Sequence, residues 1–294
     1  MKLKDLPLNS KIKFGKYAVE DEDPQPIIWV IADKNHHEVD EGYPKDACTL
    51  ITEKMIDDTP FDAAEPNNPN NNRKRYGNNF YPVSNIHQWL NSNKLDWYTS
   101  QHEYDQSPVT AFVNPDYRAA YDKRPGFLYY FSNKELNIIL DTTIKIAEDR
   151  EIDMYSEKNL TTKIFLLSNI EVGFDKISNV SEGAPLSIFT DNNSRICQLT
   201  EQFYNNMSYG DKPSSLQGSW YWALRTSVHN LMQIYGVAPD GSRYDPMAYY
   251  TEGTRLCLNL SNKILVTETP DSDGCYNLIL EPQPKYIYFK RGDK

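Results

Sequence analysis

The sequence is poor in cysteine, and its cysteines form no motif. Cys48, Cys197, Cys257 and Cys275 are scattered over 294 residues without a C-x-x-C pair. A zinc site needs closely spaced thiolates or imidazoles, and a disulfide scaffold needs a much higher cysteine density. We therefore predict four buried thiols, no metal site and no cofactor.

Long hydrophobic runs and an excess of positive charge are also missing. The longest apolar runs, such as residues 27–32, have the length of a strand, whereas a membrane-spanning helix needs about 20 apolar residues. Residues 1–6 contain charges and no apolar signal-peptide core. With 41 acidic and 31 basic residues, the net charge of −10 disfavours a phosphate backbone as partner. We expect a protein made in the cytoplasm, with no membrane insertion and no bound nucleic acid.

The sequence motifs of common enzymes are absent as well. His36, His37, His87, His102 and His229 show no metal-site or triad spacing, and no phosphate-binding loop or nucleophile elbow occurs. A glycosidase needs two carboxylates about 5–9 Å apart in one cleft, a geometry that sequence leaves open. We predict a non-enzymatic protein, with a carbohydrate-active enzyme as the alternative.

What the sequence does contain is a series of short strands and helices. Apolar runs and apolar–polar alternation predict strands at residues 12–17, 27–31, 48–51, 145–147, 162–167, 219–225, 254–260, 265–266, 275–279 and 286–289. N-capping residues and capping boxes predict helices at residues 85–91, 132–140 and 200–206. Residues 62–73, rich in Asn and Pro, are predicted to form a loop without helix. The pattern predicts an α+β fold, with short helices around small antiparallel sheets.

The predicted core is aromatic and aliphatic. Its members are Trp29, Trp89, Trp220, Trp222, Leu224 and Leu258. On the strand that carries two of these tryptophans, we expect buried side chains to alternate with exposed neighbours. Arg225 and Arg255 are expected to be semi-buried and to donate hydrogen bonds to loop carbonyls.

Three segments in order carry a family resemblance. They are residues 76–91, with Ser84 to Asn91; residues 163–173, with Ile164 to Gly173; and residues 220–226, followed by residues 253–261. This set resembles an uncharacterised family common in phages and prophages of Gram-positive bacteria. That family is similar in fold to C-type lectins, formylglycine-generating enzymes and phage variable receptor-binding proteins. The resemblance covers roughly residues 10–270, and the family's Gly-x-Arg-Pro ending reads Gly-Thr-Arg-Leu here.

The resemblance implies a C-type-lectin-like domain over residues 1–266. A C-terminal β-hairpin or strand extension over residues 267–294 would pack on it or on a neighbouring subunit. Formylglycine generation would need two close thiols, and Cys257 and Cys275 are 18 residues apart on separate predicted strands. The Glu-Pro-Asn triplet at Glu65 matches the calcium-binding triplet of sugar-binding lectins but lies far N-terminal of their sugar loop. We interpret it as part of a solvated loop and leave calcium binding open.

The function that the resemblance implies is that of a virion protein. We expect a structural protein of the tail, baseplate or capsid surface that uses a lectin-like scaffold for receptor binding or particle assembly. A bacterial surface lectin is a further alternative. Partners would be other virion proteins, or a glycan or protein of the host cell surface, and the chain would be a homo-oligomer or an assembly subunit.

The predicted contact surface lies between the tryptophan-bearing strand and the Gly-x-Arg strand, at residues 227–252. In phage proteins of this fold, that segment carries the variable receptor contacts. Here it combines tyrosines, as rigid amphipathic anchors, with side chains that form hydrogen bonds. The predicted contact residues are His229, Asn230, Gln233, Tyr235, Arg243, Tyr244, Tyr249 and Tyr250.

Overall fold

The fold is α+β and consists mostly of strands, with a few short helices. The computed structural model describes residues 1–19, 22–114, 120–148, 156–176, 181–207, 212–228 and 231–280. The strands are β1 (Lys11–Tyr17), β2 (Gln25–Lys34), β3 (Ala47–Thr52), β4 (Asp58–Pro60), β5 (Ile139–Leu140), β6 (Thr142–Glu148), β7 (Ser156–Thr162), β8 (Trp222–Ser227), β9 (Ile234–Val237), β10 (Arg243–Tyr244), β11 (Thr251–Gly253), β12 (Cys257–Ser261), β13 (Leu265–Val266) and β14 (Cys275–Ile279). The α-helices are α1 (Asn71–Tyr76), α2 (Asn85–Leu90), α3 (Asn133–Ile138), α4 (Asn192–Arg195) and α5 (Glu201–Asn206).

The largest sheet has seven strands in the order β13-β14-β1-β2-β3-β12-β5. Strands β1, β2 and β3 pair antiparallel in sequence order and form a meander. Strand β14 pairs with β13 in an antiparallel hairpin, as predicted, and with β1 in parallel. The expectation of small, purely antiparallel sheets is therefore wrong in part. The parallel pair forms because β14 folds back from β13 and lies between β13 and β1 in the sheet.

A second sheet has five strands in the order β10-β9-β8-β11-β4, and β6 pairs with β7 in a separate two-stranded sheet. Strand β11 pairs in parallel with β8 through Gly253 and Trp222, and antiparallel with β4. Strands β9 and β10, which lie between β8 and β11 in the sequence, therefore form one edge of the five-stranded sheet. The predicted strand at residues 162–167 is displaced, because β7 ends at Thr162.

The helices begin where their capping residues predict. The Ser84 side chain accepts a hydrogen bond from the His87 N–H at the start of α2, and Ser132 forms a capping box with Glu135 at the start of α3. Helix α3 ends at Ile138 rather than continuing, because the next two residues pair with β12 as β5. The predicted 132–140 helix is thus correct at its start and wrong at its end.

The Asn-rich segment contains a helix that the sequence did not predict. Helix α1 begins after Asn70, whose side chain accepts hydrogen bonds from the N–H groups of Asn72 and Arg73. Because one asparagine satisfies two of the unpaired N–H groups at the helix start, an Asn-rich stretch can begin a short helix here. The prediction of a loop throughout residues 62–73 is wrong.

The core prediction is confirmed for five of its six residues. Trp29, Trp89, Trp222, Leu224 and Leu258 are fully buried, whereas Trp220 is half-buried and packs against the core from outside. All residues of β8 are buried, so the expected alternation with exposed neighbours is wrong within the strand. Both of its faces are covered by other parts of the chain.

The predicted strand at residues 286–289 lies outside the described residues. In the part of the chain that the structure describes, no helix is long and apolar enough to span a membrane.

Candidate functional site

The segments that carry the family resemblance meet in the core. The Asn91 side chain bridges the backbone of Ile164, accepting its N–H at 3.1 Å and donating to its carbonyl at 2.9 Å. Phe165 pairs with Cys257 through backbone hydrogen bonds in both directions. Glu171 and Arg225 then join the second segment to the third. The three segments are thus bonded to one another directly.

Glu171 and Arg225 form a fully buried ion pair. The guanidinium donates through NH1 to Oε2 at 2.5 Å and through NH2 to Oε1 at 2.8 Å. The Glu171 carboxylate also accepts from the Tyr43 hydroxyl at 2.9 Å and from the Ser168 N–H at 2.9 Å. Ser168 and Glu171 form the two hydrogen bonds of a capping box, although a turn rather than a helix follows. Such a two-pronged pair fixes the relative position of both segments.

Both predicted arginines pin backbone carbonyls, but they are more buried than expected. Arg225 donates to the carbonyls of Leu166 and Lys145, and Arg255 donates to the carbonyl of Thr52. Arg255 also lies over the ring of Trp222, with 5.2 Å between the guanidinium carbon and the ring centroid. The two arginines are 1% and 5% exposed, so "semi-buried" is wrong. Their role is structural.

A cleft of about 700 Å³ opens at the end of the five-stranded sheet, away from this ion pair. Four aromatic side chains line it: Trp220, Tyr221, Tyr244 and Tyr250. The ring centroids of Tyr221 and Tyr244 are 4.7 Å apart, and those of Trp220 and Tyr221 are 5.5 Å apart in an edge-on contact. Tyr221 and Tyr250 are 36% and 38% exposed, so their rings are accessible from solvent.

Two glycines allow this aromatic packing. Gly236 on β9 is paired with Tyr244 on β10, and a Cβ atom at position 236 would lie 2.4 Å from the Tyr244 ring. Gly253 on β11 pairs with Trp222 on β8, and a Cβ atom at position 253 would lie 2.6 Å from the Tyr221 carbonyl oxygen. Any larger residue would push Tyr244 away or separate β11 from β8. These glycines therefore keep Tyr244 and Tyr221 in the positions from which they line the cleft.

One carboxyl group, that of Glu252, lines the cleft among the residues that the structure describes. The Tyr244 hydroxyl donates a hydrogen bond to Glu252 Oε2. Burial, together with the charge of Asp58, raises the pKa of Glu252 to about 8, although the Tyr244 hydrogen bond acts in the opposite direction. Burial and the Glu252 charge also raise the pKa of Tyr244 well above its ordinary value. Near neutral pH, Glu252 is mostly protonated and Tyr244 retains its proton.

A second polar atom of the cleft has no protein partner. Thr251 precedes Glu252 on β11, and its buried hydroxyl makes no hydrogen bond in the structure. By contrast, the Ser219 hydroxyl at the rim donates to the Pro239 carbonyl at 2.8 Å. Buried polar atoms are normally paired, so the Thr251 hydroxyl marks a position where a ligand atom would be favourable.

The structure divides the predicted contact residues. Tyr244 and Tyr250 line the cleft. Arg243 lies over the ring of Tyr235, 5.1 Å from its centroid, and it points away from Tyr244 because neighbouring residues on a strand face opposite sides. The Gln233 amide donates to the backbone carbonyl of residue 245 at 2.7 Å.

The other three predicted residues lie elsewhere or outside the description. Tyr249 packs between Tyr76 and Tyr250, with centroid distances of 5.4 Å and 4.9 Å. His229 and Asn230 lie outside the described residues. Gln233, Tyr235, Arg243 and Tyr249 do not line the cleft, because strand alternation and local pairing turn their side chains away from it, and their role as contact residues stays a prediction.

Sequence reasoning missed three residues of the cleft. Trp220 and Tyr221 were assigned to the core strand, and Glu252 was not singled out. Alternation in Trp220-Tyr221-Trp222 could not have shown this, because Trp220 and Tyr221 both line the cleft and only Trp222 is fully buried. Nothing in the sequence shows that Glu252 meets Tyr244, since that contact depends on β10 and β11 folding back together.

Glu65 and Asp62, whose oxygens could serve as calcium ligands, already bond to other residues of the protein. Glu65 is fully buried and pairs with Arg73 at 2.7 Å, so the solvated-loop interpretation is wrong. Asp62 is also buried and accepts the N–H groups of Asn78 and Asn85, both at 2.9 Å. Burial raises the pKa of Asp62 well above its ordinary value. These oxygens hold the Asn-rich segment against α2.

The remaining candidate chemistry concerns metal ions and the four cysteine thiols. Within the described ranges, no group of three His, Cys, Asp or Glu side chains is arranged to hold a metal ion. The four cysteines carry free, buried thiols, as predicted. Cys257 on β12 and Cys275 on β14 belong to separate strands, as the sequence indicated.

Comparison with known proteins gives one match. The profile of a domain of unknown function, DUF6273, matches residues 46–262 of the 294. No curated protein and no solved structure matches the chain. The matched range includes both the buried ion pair and the aromatic cleft, whereas β1, β2, β13 and β14 lie outside it.

Proposed function

Because the chain belongs to the DUF6273 family, whose function is unknown, we propose its function from its own geometry. We propose that it is a non-enzymatic virion protein of a phage, on the tail, baseplate or capsid surface. Its aromatic cleft binds a partner, which is a component of the host cell surface or another virion protein. The observation that carries this proposal is the aromatic cleft, which Tyr244 and Tyr250 of the predicted contact segment help to line.

The chemistry of the cleft supports recognition. Tyr and Trp provide large contact areas at low entropic cost, and each carries a polar tip for hydrogen bonds. Tyr221 and Tyr250 are the exposed members, and Thr251 and Glu252 supply polar atoms below them. A mostly aromatic cavity with few polar groups is the usual form of a ligand site.

A C-type-lectin-like scaffold is part of the proposal. In proteins of that kind, the receptor contacts lie between the tryptophan-bearing strand and the Gly-x-Arg strand. Here Gly253 pairs with Trp222, so the intervening segment forms an excursion that begins and ends at the same place in the sheet. Its strands β9 and β10 extend the sheet outward from β8. The part of this excursion that follows β8 does not include Arg225, so it can vary without removing the ion pair in the core.

A carbohydrate-active enzyme is the second candidate, and the raised pKa of Glu252 favours it. A protonated carboxyl in a cleft is a typical general acid. Glycoside hydrolysis also requires a second carboxylate at the scissile bond, and Glu252 is the one acid that lines the described part of the cleft. If the protein is such an enzyme, it should release products from oligosaccharides, and Glu252→Gln should abolish that activity.

The virion proposal is tested by mass spectrometry of purified particles. We expect the chain to be present at a fixed ratio to the known structural proteins. Particles carrying Tyr250→Ala should retain the chain but lose adsorption to host cells or the assembly contact that the cleft provides. Absence of the chain from intact particles would reject a virion role.

A further inference from the structure

We propose that the cleft binds an organic cation, with an ammonium group held between the aromatic rings and the carboxylate of Glu252. This inference rests on the proposed binding role of the cleft and specifies the chemical class of its ligand.

The aromatic lining provides the first argument. A cation within about 6 Å of a Trp or Tyr ring face is attracted by the negative face of the ring. Trp220, Tyr221 and Tyr250 surround the opening, and two of these three rings are more than a third exposed. Arginine already uses this interaction elsewhere in the chain, over Tyr235 at 5.1 Å.

Charge complementarity provides the second argument. Among the described residues that line the cleft, Glu252 is acidic and none is Lys or Arg. The net charge of the chain is −10, which attracts a cation from a distance. A buried carboxylate without a cation is unfavourable, and a bound ammonium group would provide the missing charge.

The surroundings of Glu252 predict how binding couples to a proton. Tyr244 on β10 faces it with a hydroxyl that stays protonated, and Asp58 on β4 adds a negative charge nearby. Because the pKa of Glu252 is about 8 in the free protein, the carboxyl is mostly neutral at pH 6.5. A bound cation favours the carboxylate, so binding below pH 8 releases the Glu252 proton to the solvent. The affinity should therefore rise with pH and level off above pH 8.

The test compares choline with its neutral isostere 3,3-dimethylbutan-1-ol by NMR titration of the full chain. Neither probe titrates between pH 6.5 and pH 8.5, so any pH dependence belongs to the protein. We expect choline to bind about tenfold or more tightly at pH 8.5 than at pH 6.5, since ionisation changes about tenfold per pH unit below the pKa. The isostere should bind weakly and without pH dependence.

Two variants locate the effect. Glu252→Gln, whose amide oxygen can still accept from Tyr244, should abolish the pH dependence and reduce choline affinity about tenfold at pH 8.5, with little change at pH 6.5. Tyr250→Leu should weaken choline binding, whereas Tyr250→Phe should retain it, because only an aromatic ring has the negative face. Leu231→Ala, on an exposed leucine of the same segment, serves as the control and should bind normally.

The outcomes separate this inference from the proposed function. Equal affinity for choline and the neutral isostere would reject a cation site. Failure of choline to bind would also reject it, and the binding role of the cleft would still stand if Tyr250→Ala abolished particle adsorption. If adsorption survives Tyr250→Ala and choline does not bind, both proposals fail.

Discussion

Two buried glutamates, Glu171 and Glu252, are held in opposite ways. Glu171 is fully buried, and the Arg225 guanidinium contacts both of its oxygens. Glu252 is 7% exposed and accepts a hydrogen bond from Tyr244, and the negative charge of Asp58 helps to raise its pKa. A cation thus compensates the first carboxylate, whereas another acid opposes ionisation of the second.

Glu171 belongs to the buried core that carries the family resemblance, whereas Glu252 belongs to the cleft that we propose to bind a partner. The segments that carry the family resemblance converge on Glu171 and Arg225, where both carboxylate oxygens accept hydrogen bonds from the guanidinium. The cleft at Glu252 leaves a carboxyl uncompensated and the Thr251 hydroxyl without a partner. Strained electrostatics of this kind occur at functional sites, because a ligand can relieve them.

The largest effect should come from removing the cation of the buried pair. Arg225→Leu leaves Glu171 buried without its partner, and loss of one member of such a pair typically costs about 3–5 kcal/mol. We expect the free energy of unfolding to fall by that amount in urea denaturation. The matched control is Arg243→Leu, on an exposed arginine, with a change within about 0.5 kcal/mol. Equal effects of the two substitutions would remove the distinction between core and surface arginines.

Trp222 extends the comparison along β8. Its side chain is fully buried, and its Nε1 donates to the Arg195 carbonyl at 3.1 Å. Trp222→Ala should lower the free energy of unfolding by about 3–5 kcal/mol, because it creates a large cavity. Tyr221→Ala, at the neighbouring position on the cleft face, should cost clearly less in thermal or chemical unfolding. An unchanged melting temperature for Trp222→Ala would refute its place in the core.

Glu252 should give the protein a pH-dependent stability of known sign. Its pKa is about 8 in the folded chain and near 4.5 when unfolded, so the folded state binds the extra proton between these values. The free energy of unfolding should therefore fall as the pH rises from about 4.5 to 8 and change no further above 8. Glu182 and Asp62 also have raised pKa values, so the measurement is the difference between wild type and Glu252→Gln. A difference that stays constant across this window would show that Glu252 ionises normally.

Tyr250 should give the smallest effect, and one confined to binding. Tyr250→Ala should weaken partner binding by about 1–2 kcal/mol while thermal stability stays within about 0.5 kcal/mol. Tyr244 differs from it, because Tyr244 also bonds Glu252 and packs over Gly236. Tyr244→Ala should therefore reduce both binding and stability. Loss of stability in Tyr250→Ala without a binding defect would place Tyr250 in the core.

Local signals in the sequence predicted local structure well. Alternation and capping residues correctly placed β1, β2, β3 and the starts of α2 and α3, because these features depend on neighbouring residues. The burial of Trp29, Trp89 and Trp222 followed from their size and apolar character. Tyr244 and Tyr250, two of the four aromatic residues that line the cleft, were among the contact residues that the family resemblance implied.

Contacts between distant residues were not predictable in the same way. The bond between Glu252 and Tyr244, the parallel pairing of β14 with β1, and the burial of Glu65 against Arg73 each depend on how separate segments meet. The end of α3 shows the same limit, since β12 competes for Ile139 and Leu140 as a strand. Tertiary pairing thus overrode local preference wherever a sheet edge was available.

The most direct test of the contrast between the two glutamates is the pKa of Glu252 itself. Carbon-13 NMR of the glutamate side-chain carboxyls, followed through a pH titration, reports each ionisation separately. The structure predicts one resonance with a midpoint near pH 8 that disappears in Glu252→Gln. A spectrum in which every glutamate titrates below about pH 6 would contradict the account, because Glu252 would then be an ordinary solvated carboxylate.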